Sequence, residues 1–90
     1  MAEIQIVRRN FETFEVTVTG EKTTSHTVIL KPDYYQKLTG GTVPPERLIE
    51  KSFEFLLERE SNTMILSRFE LPLIGHYFPE YEKTIVERLK

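Results

Sequence analysis

His76 and Glu80 stand four residues apart, the spacing that places two side chains on one helical face where a metal ion or a proton-transfer pair could use them. Pro79 falls between them and breaks such a helix. A metal also needs three or four converging ligands, and no third stands near in sequence. His76 therefore reads as a boundary histidine bonded to backbone or water. His26, at the start of a strand, offers still less. No serine or threonine sits in a nucleophile elbow, and no Asp/His pair forms a recognisable triad. Gly40–Gly41 lacks both the following Lys-Ser/Thr and the spaced third glycine of a phosphate loop, so it reads as a helix stop. The absence of cysteine excludes disulfides, thiolate metal sites and cysteine nucleophiles. No catalytic residue, metal ligand or cofactor site is expected.

Two groups of residues suit binding better than catalysis. Arg8 and Arg9 form an adjacent cationic pair, a candidate anion contact, although exposed turn residues are the commoner explanation of such a pair. Tyr77, Phe78, Glu80 and Tyr81 cluster around Pro79, and with Phe53 and Leu57 they make up a candidate interaction surface. The competing explanation is a helix corner whose rings close the core, because small proteins usually bury their apolar patches.

Ninety residues suit one domain, 1–90, with one modest core. A hydrophobic fraction of 39% and a charged fraction of 29% lie in the globular range, and six Phe and four Tyr supply much of the area to bury. The net charge of −2 is the wrong sign for a chain that lives by neutralising phosphates. Met1 to Val7 hold no long apolar run of the secretory kind, and no stretch approaches the ~20 apolar residues of a membrane span. A cytoplasmic protein without a membrane contact is the expectation.

The elements that position these residues follow from periodicity. Ile4 and Ile6, then Phe14, Val16 and Val18, then Val28 and Leu30 alternate with polar neighbours, which predicts an antiparallel sheet of three strands at about 3–9, 13–20 and 25–31. Helices follow at about 32–39, 44–60, 62–69, 72–78 and 79–89, an α+β fold. Pro32 and Asp33 suit a helix start, and Gly40–Gly41 its end. In the longest helix Leu48, Ile49, Phe53, Phe55, Leu56 and Leu57 cover about half the wheel or more, wider than the ~100° stripe that one-sided packing needs. This helix is expected to pack on two surfaces: the sheet, and either the C-terminal region or a second chain.

The order Thr27–Leu30, Pro32–Leu38, a glycine pair and a long helix from Pro44 resembles the strand–helix–helix of ribbon-helix-helix repressors. That resemblance implies two chains pairing their third strands and presenting Thr27, Ile29 and Lys31, or His26, Val28 and Leu30, to a DNA groove. Neither set carries the side chains that read base edges. Over about residues 52–81, the segments Ser52–Glu60, Ile65–Pro72 and Tyr77–Tyr81 resemble a family of short uncharacterised prokaryotic proteins. The second resemblance implies a self-standing domain and supplies no functional residues.

The leading expectation is a small non-enzymatic protein–protein interaction domain, a homodimer or the binder of an unidentified protein partner. The alternatives are a nucleic-acid-binding or antitoxin-like regulator of ribbon-helix-helix type and, after that, a small enzyme.

Overall fold

The computed structural model describes residues 3–90; Met1 and Ala2, part of the segment read for a leader, lie outside the described residues. The chain is α+β. Its strands are β1 (Glu3–Arg8), β2 (Thr13–Thr19), β3 (Thr24–Ile29) and β4 (Arg68–Glu70), and its helices α1 (Pro32–Thr39), α2 (Pro45–Leu57), α3 (Leu73–Tyr77) and α4 (Tyr81–Arg88). The first three strands form the expected antiparallel meander, in register with Ile6 opposite Val16 and Val16 opposite His26. Asn10 shapes its first turn by accepting hydrogen bonds from the Glu12 and Thr13 N–H groups at 3.1 and 3.0 Å.

The period of two separates the faces. Phe14, Val16, Val18 and Val28 are fully buried, and Phe69 nearly so, beneath the helices. Gln5, Glu15, Thr17, Thr27 and Arg68 occupy the opposite face, which is partly or wholly open to water.

A fourth strand joins this sheet where a helix over 62–69 is expected. Asn62–Met64 forms a single 3-10 turn, and Arg68–Glu70 then pairs in parallel with the free side of β3, Phe69 opposite Val28. The Thr27 N–H donates to the Ser67 carbonyl at 2.7 Å and the Leu71 N–H to the Ile29 carbonyl at 2.9 Å, which satisfies peptide groups that β3 would otherwise leave open. The reason is local as well as global. Met64, Ile65 and Leu66 spread over some 200° of a helix at ~100° per residue and cannot share one face. Arg68–Phe69–Glu70–Leu71 alternates with a strand's period, and Pro72 biases Leu71 away from helical backbone.

Helix α1 matches its expected span, with Pro32 in its first turn and Gly40 at φ 64° beyond its end, where the Gly40 N–H closes on the Gln36 carbonyl at 2.8 Å. Helix α2 ends at Leu57, three residues short of the expected Glu60. Its wide apolar face does meet two surfaces. One is the sheet; the other is the C-terminal region, where Phe55 packs edge-on against Phe78 and Tyr81 with ring centroids 5.9 and 5.3 Å apart.

Beneath this contact the buried Ser52 hydroxyl donates to the Leu48 carbonyl at 2.7 Å and accepts from the Tyr81 hydroxyl at 2.6 Å. Burial holds the Tyr81 phenol above its ordinary pKa. No helix among the described residues is long and apolar enough to cross a membrane.

Candidate functional site

Between the end of α2 and α3 an apolar groove of about 430 Å³ stays open. Leu56, Ile65, Phe69 and Ile74 floor it, Phe78 and Leu73 wall it, and Glu60 is the charged residue on its lining. Three of its residues face water to a degree unusual for their type: Met64 is 68% exposed, Tyr77 64% and Leu66 48%. Single exposed apolar residues are ordinary, but here three surround one concavity, which makes it the candidate site.

The wall that carries Met64 and Leu66 is fastened to the sheet by polar side chains. The Asn62 side-chain amide donates to the Lys22 carbonyl at 2.8 Å and to the Thr24 hydroxyl at 3.0 Å, bridging the 3-10 turn to the β2–β3 hairpin. His26, buried against the Phe53 ring, donates from Nδ1 to the Leu66 carbonyl at 2.8 Å, and the Thr24 hydroxyl lies 2.8 Å from its Nε2. A carbonyl can only accept, so Nδ1 carries a proton and Thr24 completes the ring's hydrogen bonding. This histidine is a structural clip whose ends lie forty residues apart in sequence.

The opposite wall is braced by charges. The Arg59 guanidinium lies over the Phe55 ring at 3.6 Å and donates to Glu80 at 3.2 Å. Arg88 grips Glu58 with two hydrogen bonds of 2.7 Å, tying the end of α4 to the end of α2. That bidentate contact holds the Glu58 carboxyl below its ordinary pKa; Glu80 is lowered first by its own backbone N–H and then by Arg59.

The expected interaction residues divide between surface and core. Tyr77 stands on the groove rim, Phe78 lines it half-buried, and Glu80 is exposed beside it. Phe53 and Tyr81 correct the expectation: both are fully buried, since the inward faces of α2 and α4 carry them into the core. Leu57 is half-buried against that core. Met64, Leu66 and Leu73 belong to the candidate site without having been singled out; for Met64 and Leu66 the reason is that a helix over 62–69 would have given them a different face. The signal that could have found them is the alternation from Arg68 to Leu71, which ends the helical reading.

Arg8 and Arg9 act locally. Arg8 donates to the Phe11 carbonyl at 2.9 Å and lies over the Phe14 ring, while Arg9 pairs with Glu15. His76 is exposed on α3 with its ring edge-on to Tyr77, and no three His, Asp or Glu among the described residues converge as metal ligands. Strand β3 has β2 on one side and β4 on the other, so both its edges are taken and the strand-to-strand ribbon of a ribbon-helix-helix dimer has no free partner edge.

Comparison with family models, with curated proteins and with solved structures finds no match for this chain.

Proposed function

We infer that this protein is a small interaction domain that works by receiving apolar side chains of a protein partner in the groove between the end of α2 and α3. The single observation that carries this reading is the cluster of Met64, Leu66 and Tyr77, exposed around a concavity whose floor is already part of the core. Burying apolar surface there gains about 25 cal/mol per Å² before the costs of association, so a groove of this kind supports binding when a partner fills it. Its walls are fixed by the His26 and Asn62 clips and the Arg59 brace, which lowers the ordering cost of receiving a ligand.

Peptides selected from a random library on the folded protein test the reading. The expected outcome is a set rich in apolar side chains, with amide shift changes confined to residues of the groove and loss of binding in Leu66→Lys. Selection of the same peptides on Leu66→Lys, or shift changes centred elsewhere, would overturn it.

A further inference from the structure

Strand β4 borders the groove through Phe69 and is also an outer edge of the sheet. In its parallel pairing, the backbone groups of Ser67 and Leu71 turn toward β3, as Thr27 N–H to Ser67 and Leu71 N–H to Ile29 show. Phe69 shares that side by the strand's period of two, which leaves the N–H and C=O groups of Arg68 and Glu70 directed away from the sheet. Their side chains lie on the outer face and are exposed, while Phe69 points into the helical layer. Pro72 stands two residues past Glu70 and supplies no N–H, so an incoming strand finds a pairing edge that stops at Glu70.

This edge carries a pattern that fits itself. Set β4 antiparallel to the β4 of a second chain with Phe69 opposite the partner's Phe69, and Arg68 falls opposite the partner's Glu70, while Glu70 falls opposite the partner's Arg68. The two residues with outward backbone groups are then the hydrogen-bonded pairs, giving four N–H to C=O bonds across the twofold axis. Shifting the register so that Arg68 faces Arg68, or Glu70 faces Glu70, sets like charges directly opposite, which cross-strand pairing disfavours. The current partner of Glu70 is Lys31, at 3.7 Å between two exposed side chains, a contact loose enough to share.

We propose that the groove's occupant is a second copy of this chain, joined through antiparallel β4–β4 pairing centred on Phe69. The proposal rests on the interaction reading above and names its partner. The interface is isologous: each copy brings its exposed Leu66 wall to the other's open groove, and the two four-stranded sheets become one of eight strands. Edge pairing over so short a strand contributes little alone, so the apolar walls carry the association and the charges set its register.

Sedimentation velocity across a wide concentration range reads the proposal. Wild type is expected to dimerise. Arg68→Glu and Glu70→Arg are each expected to weaken the dimer by about tenfold or more, since each turns two attractive cross-strand pairs repulsive. The double variant Arg68→Glu/Glu70→Arg restores the pairs and is expected to recover wild-type association. Both positions are exposed, and an unchanged circular dichroism spectrum below the melt checks that every variant folds. Because the native chain has no cysteine, mixing Arg68→Cys with Glu70→Cys chains gives a second readout: hydrogen-bonded antiparallel partners lie about 5.5 Å apart at Cα, within disulfide reach, so oxidation should link the mixture more than either variant alone. A monomer at every concentration, or a double variant as weak as the singles, overturns the proposal. If wild type stays monomeric while selected peptides still require Leu66, the second-copy assignment fails and the interaction reading stands. If the peptides fail as well, both fall.

Discussion

The inward face of α2 and the groove beside its end are both apolar, and they meet opposite fates. Leu48, Phe53 and Phe55 present more apolar surface than the sheet alone can cover, and the C-terminal region arrives to cover the remainder with Phe78 and Tyr81. Around Met64, Leu66 and Tyr77 no further element of the described chain arrives, and the side chains stay in water. A broad apolar helix is thus a poor guide to a binding surface when later chain is available to bury it. The apolar residues that stay uncovered are those beside a short turn held by polar clips and bordered by an edge strand.

The contrast can be broken most forcefully from the core side. Phe55→Ala removes the ring that meets Phe78, Tyr81 and Arg59, and is expected to cost about 3–5 kcal/mol in denaturant-monitored stability. Leu66→Ser, on the groove side, should leave stability nearly unchanged while weakening association. A loss from Leu66→Ser as large as that from Phe55→Ala would erase the distinction between the two regions.

The clip under the groove wall has a smaller expected effect. Asn62→Ala leaves the Lys22 carbonyl and the Thr24 hydroxyl without that donor and should cost about 1–3 kcal/mol. Faster amide exchange localised to residues 61–67 would show that the wall, rather than the whole fold, has loosened.

Tyr81→Phe sharpens the core side of the comparison, with an expected loss of about 1 kcal/mol at neutral pH because Ser52 keeps its bond to Leu48. The phenol's folded pKa is raised, so its contribution is intact below the unfolded value near 10 and fades as pH rises above it. Wild type should therefore lose stability above about pH 10 more steeply than Tyr81→Phe, as equilibrium unfolding at a series of pH values would report.

The smallest effect belongs to the surface brace. The folded pKa of Glu58 is depressed, so its contribution is present above the ordinary carboxylate range and is lost as pH falls through the lowered value. Glu58→Gln should cost less than about 1 kcal/mol at neutral pH and flatten the acid limb of stability below about pH 4.

Residue chemistry acting over a few neighbours was enough to foresee much of this molecule. Alternation along Phe14–Val18 gave β2 its buried face, Pro32 and Gly40 bounded α1, and the apolar width of α2 required two packing surfaces. These features were legible because sterics, capping and periodicity act within a turn or along one strand. The parallel pairing of β4, the choice of the C-terminal region rather than a second chain as the other surface for α2, and the clip from His26 to Leu66 lay beyond that reach. Each joins segments far apart in the chain, and each depends on which edge or apolar face is still uncovered once the rest has folded. The groove is the last of these, opened where β4 turned Met64 and Leu66 away from the core.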